Sequence, residues 1–185
     1  VYKAPYSAIR YLLQRDVESS WTVQHADTLG SLPLHYACRY GAPLEVLELL
    51  LREDQGDEKK TITHADNQGW MPLHLACQYN CNTNIIKLLL DQDQGKEKRS
   101  VTHRDDQKYL PIHLALERNV PTKTLELLLT ADTQRKTIHV PSPSGFTTIT
   151  EFAMKYDYRY LLAENCTKLL NLVVDEMNIH TACRF

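Results

Sequence analysis

The side chains best suited to chemistry here are histidines, and they recur at a fixed interval. His35, His74 and His113 stand 39 residues apart, as do His25, His64 and His103. His139 breaks the second series: counted back from Gly145, Val140 takes its place. Ligands of one metal ion all lie about 2 Å from it. Side chains repeated on successive packed helices start about 8–10 Å apart, so neither series makes a metal site by itself. The five cysteines are Cys38, Cys77, Cys81, Cys166 and Cys183. Their odd count and lack of a framework point to reduced thiols in an intracellular, cytoplasmic setting. Cys38 and Cys77 are also 39 residues apart, and a bridge needs Cα atoms within about 7 Å. They read as small hydrophobes. Cys77 and Cys81 are separated by Tyr79-Asn80, a helix-end signal, and no second Cys or His pair completes a zinc set. The paired acids Asp105-Asp106 and Asp91/Asp93 fall in turns and charged connections. No phosphate loop, nucleophile elbow or H-E-x-x-H is present. The expectation is a non-catalytic chain with no metal, cofactor or small-molecule substrate.

The elements that carry these residues repeat with them. MPLHLACQYN (71–80) has counterparts in LPLHYACRYG (32–41) and LPIHLALERN (110–119). LEVLELLL (44–51), TNIIKLLL (83–90) and TKTLELLL (122–129) keep the same register. So do HADTLG (25–30), HADNQG (64–69) and HRDDQK (103–108). Self-similarity at such a period indicates a solenoid or array. The run [G/K]-x-[L/M]-P-[L/I]-H-x-A followed by a leucine block resembles the ankyrin repeat, with its T-P-L-H-x-A signature. Leu32, Met71 and Leu110 replace the signature threonine, and the period is about six residues longer than the usual 33. The resemblance covers residues 4–158. It implies an all-α ankyrin-repeat solenoid of stacked helix-turn-helix units, with finger loops or short hairpins and a C-terminal capping helix. It also implies that the histidine of P-L-H bonds the local backbone and fixes the turn.

Along the chain, residues 4–24 read as a truncated N-terminal repeat, since APYSAIRYLL (4–13) is similar to APLEVLELLL (42–51). Trp21 is expected to anchor the connection over 15–24. Full repeats follow at 25–63, 64–102 and 103–139, then a degenerate repeat at 140–158, a capping helix at 159–178 and a tail at 179–185, all in one domain. Pro33, Pro72 and Pro111 suit the first turn of a helix. Gly41 ends the first of these helices, Pro43 opens the next, and Asn82 offers an N-cap. Val46, Leu47, Leu49, Leu50 and Leu51 leave the second helix apolar on nearly all sides, as a middle layer requires. Ile85, Ile86, Leu88, Leu89 and Leu90 fill the same places in the next repeat, and Thr124 replaces Val46 in the third. The extra residues fall in REDQGDEKKT (52–61) and DQDQGKEKRS (91–100), which read as solvated turns. Thr61–His64 and Ser100–His103 alternate apolar and polar residues like short extended arms. Leu162, Cys166, Leu169, Val173 and Met177 mark an amphipathic stripe.

A net charge of −2 gives no argument for nucleic acid or an anionic membrane, and no apolar run is long enough to insert into one. The start at Val1, inside what reads as a repeat, suggests a piece of a longer protein. Ankyrin arrays bind on the concave face made by fingers and first helices, so the resemblance implies a protein or peptide partner there. By register, that face carries Asn67, Gln68, Trp70, Tyr109 and Phe146 from the fingers. Arg39, Tyr40, Gln78, Tyr79, Glu117 and Arg118 come from the helix ends. Tyr, Trp and Arg dominate interface hot spots, because each buries a large area and keeps a polar handle. The alternative is a regulatory or targeting segment of a larger enzyme or channel, acting on its own chain.

Overall fold

A computed structural model of the chain describes residues 21–54, 60–94, 98–134, 137 and 140–143, without the side chains of 21, 22 and 60. The chain divides into two compact units, Val1–Thr137 and Ile138–Phe185. The helices of the described residues belong to the first, in three triplets. These are α1 (Trp21–Gln24), α2 (Pro33–Arg39) and α3 (Leu44–Glu53); α4 (Lys60–Thr63), α5 (Pro72–Gln78) and α6 (Thr83–Gln92); and α7 (Arg99–Thr102), α8 (Pro111–Glu117) and α9 (Thr122–Ala131). No strand occurs among the described residues. The truncated repeat up to residue 20, the Gly145-Phe146 landmark, the capping helix and the tail lie outside them.

The P-L-H-x-A core builds the middle helix of each triplet. Proline sits at the first helical position, where its missing N–H costs no bond. Two residues on, a histidine reaches back over the helix start. Its Nδ1 accepts the N–H of Leu32, Met71 or Leu110 at 3.1–3.2 Å, so an orphan donor is satisfied. The helix stops where Gly41, Asn80 or Asn119 enters the left-handed region at φ of 49–59°. The next N–H then bonds the carbonyl of the helix alanine (Ala42 to Ala37, Cys81 to Ala76, Val120 to Ala115).

The longer helices start at Pro43, Asn82 and Pro121, with Asn82 Oδ1 accepting the Asn84 N–H at 2.9 Å. Helix α5 packs between α2 and α8, and α6 between α3 and α9. Val46, Leu47, Leu49, Leu50 and Leu51 are buried, as are Ile85, Ile86, Leu89, Leu90, Leu125, Leu128 and Leu129. Each such side chain contributes roughly 1.5–3 kcal/mol. Leu88 is only half-buried, against the sequence expectation, since it falls off the 85/86/89/90 stripe. Thr124 is at home in this core because its Oγ1 pairs with Thr83 Oγ1 at 2.9 Å.

The short helices correct two expectations. Thr61–His64 and Ser100–His103 are not extended arms, for α4 and α7 occupy Lys60–Thr63 and Arg99–Thr102. Nor are the ends of the connections solvated. Asp54 Oδ2 accepts both the N–H and the hydroxyl of Thr61 (3.2 and 2.6 Å), and Asp93 Oδ2 accepts both from Ser100 (2.9 and 2.6 Å). Asp132 Oδ2 does the same for Thr137 (2.7 and 2.6 Å). All six residues are buried. Each carboxylate stands at the C-cap of a long helix and latches the connection shut. Ile62 and Val101, one residue further, are driven into the core. Lys98 adds a second closure, donating from Nζ to the Leu90 and Asp93 carbonyls.

Candidate protein-interaction surface

Each finger is a tight turn built on one aspartate. Asp27 Oδ1 accepts the N–H groups of Leu29 and Ser31 at 2.9 Å, and Asp66 Oδ1 those of Gln68 and Trp70 at 2.9 Å. Asp105 Oδ1 takes Tyr109 N–H at 2.7 Å. The tip then turns back through a left-handed residue, Gly30, Gly69 or Lys108, at φ of 70–77°. Neighbouring fingers are pinned together: Asn67 N–H donates to Leu29 O and Asp106 N–H to Gln68 O at 3.0–3.1 Å. Asn67 Nδ2 also donates to Thr28 O at 3.1 Å. Burial raises the Asp105 carboxyl above its ordinary range, and its Oδ2 is buried without a partner. In the first repeat the equivalent oxygen of Asp27 accepts the Tyr36 hydroxyl, which holds that exposed carboxyl below its usual range. Leu75 and Leu114 take the Tyr36 position in the later repeats.

The two histidine series interleave between repeats. His35 Nε2 donates to Trp70 O at 3.0 Å, while its Nδ1 accepts at the helix start; this fixes one neutral tautomer. His64 and His103 donate from Nε2 to Gly30 O and Gly69 O, at 2.9 and 3.2 Å. Rings of successive repeats meet edge to face, His35 with His64 and His74 with His103, both at 5.8 Å. Burial, and then the neighbouring His103, push the His74 pKa down to about 3. The register partner of its Nε2 is the Tyr109 carbonyl, whose pull raises that pKa. No hydrogen bond of normal geometry forms there, so the nitrogen is an orphan. These imidazoles are joints between fingers and helices. Among the described residues no group of three His, Cys, Asp or Glu side chains is placed to hold a metal. Cys38, Cys77 and Cys81 are buried and free, and burial pushes their thiols up, Cys81 to about 11. Cys81 donates from Sγ to Cys38 O at 3.0 Å.

The residues expected on the binding face separate into two groups. Trp70 and Tyr109 are half-buried, each ring 6.4 Å from the P-L-H histidine of its own repeat, His74 or His113. Gln78 is half-buried as well, with Oε1 covered and unpartnered. Asn67 and Gln68 are exposed, although the Asn67 amide is engaged between fingers. Arg39, Tyr40, Tyr79, Glu117 and Arg118 are exposed at the helix ends. Phe146 lies outside the described residues. Sequence reasoning left out Tyr36. Tyr36 stacks on Tyr40 with centroids 6.2 Å apart and planes 9° from parallel. The Arg39 guanidinium carbon lies 5.9 Å from both the Tyr40 and Tyr79 ring centroids. Leu29, Tyr40 and Tyr79 are 59, 58 and 47 % exposed, the large apolar side chains left in water among the described residues. An aromatic at the variable position of P-L-H-x-A, where the other repeats hold leucine, was the available signal for Tyr36.

No helix among the described residues is long and apolar enough to cross a membrane. A family model for ankyrin repeats in three copies matches residues 55–139, and one for a single ankyrin repeat matches residues 29–58. No curated protein matches the chain significantly. The two family matches are contiguous and together span more than half of the chain, and the turn-fixing histidines and pinned fingers fall inside them; the chain belongs to the ankyrin-repeat family.

Proposed function

We propose that this chain is a non-catalytic interaction module that holds a partner protein or peptide against its fingers and first helices. Ankyrin repeats are in general protein–protein interaction modules. The observation that carries the reading here is the exposed Tyr40–Arg39–Tyr79 cluster. Tyr40 and Tyr79 are, with Leu29, the large apolar side chains left exposed among the described residues, and exposed aromatics beside an arginine have the make-up of an interface hot spot. Asn67, Gln68, Glu117 and Arg118 extend the same face along the repeats. Trp70, Tyr109 and Gln78 support it from beneath. The buried free thiols suit a reducing compartment, the cytoplasm. Affinity capture from a lysate of the source tests the reading, comparing the wild type with Tyr40→Ala/Tyr79→Ala. A partner held by the wild type and lost by the variant, with an unchanged circular dichroism spectrum, supports this face. Equal capture by both moves the site elsewhere.

A further inference from the structure

We infer that the first-repeat end of this face recognises a carboxylate side chain in an extended protein segment, with Arg39 as its receptor. The inference rests on the interaction-module reading and names the chemistry of the partner. Arg39 is exposed and forms no ion pair among the described residues, where Arg52 pairs with Glu53 at 3.7 Å. Asp27, which Tyr36 links to Tyr40, is already committed to Leu29 N–H, Ser31 N–H and the Tyr36 hydroxyl. The guanidinium therefore keeps its donor fork for a ligand.

It is also held in place. Tyr40 and Tyr79 lie at the same 5.9 Å distance, and Tyr40 is in turn stacked on Tyr36, which the finger aspartate fixes. A guanidinium steadied by aromatic faces loses less freedom on binding than a solvated one, and its planar fork suits a bidentate carboxylate. The rings and Leu29 offer apolar contact for the residues flanking the acid. Charge along the stack sets a direction. The Arg39 position becomes Gln78 and then Glu117, while the Tyr40/Tyr79 position becomes Arg118. A partner acid is thus favoured at the first repeat, whereas at the third Glu117 and Arg118 offset each other.

A displayed library of random 16-residue peptides, selected on the whole chain near physiological salt, provides the probe. The best clone and its Glu→Gln or Asp→Asn version are then measured by fluorescence anisotropy. Clones with an acid at a common position flanked by apolar residues are expected, with a roughly ten- to hundredfold loss on neutralising it, the range of a charge-assisted hydrogen bond. Arg39→Gln, at an exposed site that leaves the fold intact, should abolish the difference between the two peptides; Lys87→Gln, which removes the same charge from the exposed side of α6, should preserve it. Clones without a common acid, or discrimination that survives Arg39→Gln, overturn the carboxylate reading and leave the interaction-module reading standing. Failure to select any clone overturns both.

Discussion

Replacing Asp93 by alanine should damage the protein far more than its place in a charged connection suggests. The side chain is 5 % exposed and its Oδ2 accepts two bonds from Ser100, which is fully buried. Removing the carboxylate strands a buried N–H and a buried hydroxyl at once. Hydrogen bonds to a charged group contribute about 1.5–3 kcal/mol each, so Asp93→Ala should cost about 3–5 kcal/mol. Ser100→Ala removes only the hydroxyl bond and should cost about 1.5–3 kcal/mol. The effects should not add: with Asp93 already gone, Ser100→Ala loses nothing more at this bond, giving a coupling of about 1–3 kcal/mol in a double-mutant cycle. Urea unfolding followed by far-UV circular dichroism measures all four proteins. A cost below about 0.5 kcal/mol for Asp93→Ala, on the scale of an ordinary surface substitution, would refute the latch. Additive effects would refute the pairing of these two residues.

Leu89, fully buried in α6, should cost about 2–5 kcal/mol on truncation to alanine, measured by the same unfolding curves. Gly69→Ala should be worse than Gly41→Ala. Both residues have positive φ, worth roughly 1–2 kcal/mol against alanine. A Cβ on Gly69 would also lie 2.8 Å from Asp106 N, whereas one on Gly41 meets nothing within 4 Å. Equal costs would contradict the pinned-finger geometry. The pH dependence follows from His74, whose folded pKa of about 3 is below its ordinary value near 6.5. Between those values the unfolded chain binds the extra proton, so stability is complete above about pH 6.5 and falls as the pH drops. The slope approaches roughly 1.4 kcal/mol per pH unit, or about 2 kcal/mol lost by pH 5. His35 and His103, also depressed by burial, act in the same direction. His74→Asn should flatten the stability–pH curve between pH 7 and 5, and an unchanged slope would contradict the burial argument.

Period and side-chain chemistry made the middle and long helices legible, because 3.6-residue periodicity over seven to ten residues leaves one consistent face. Four residues are too few for that test. Ile62 between two threonines is compatible with either a strand or one helical turn, and the deciding partner, Asp54, stands seven residues upstream of Thr61. The latch was legible only as a repeated D…[T/S] pairing, and its spacing changes from seven residues in the first two repeats to five in Asp132–Thr137. A side-chain bond at the two ends tolerates that change, since loop closure depends weakly on length. On the binding face, register placed Arg39, Tyr40 and Tyr79 among the candidates. It could not tell them from Trp70 and Tyr109, because exposure depends on the ring of the adjacent histidine. The interleaving of the two histidine series was also hidden: each contact spans 34 or 35 residues, where sequence alone shows a spacing of 39.

Amide hydrogen exchange of the chain, with and without the captured partner or selected peptide, tests the central claim most directly. The account predicts slowed exchange in the fingers and at the ends of α2, α5 and α8, around residues 28–29, 39–40, 67–68, 78–79 and 117–118. The solvent-facing turns of α3, α6 and α9, around Glu48, Lys87 and Lys123, should be unchanged. Protection confined to those long helices, with none at the fingers, would contradict it.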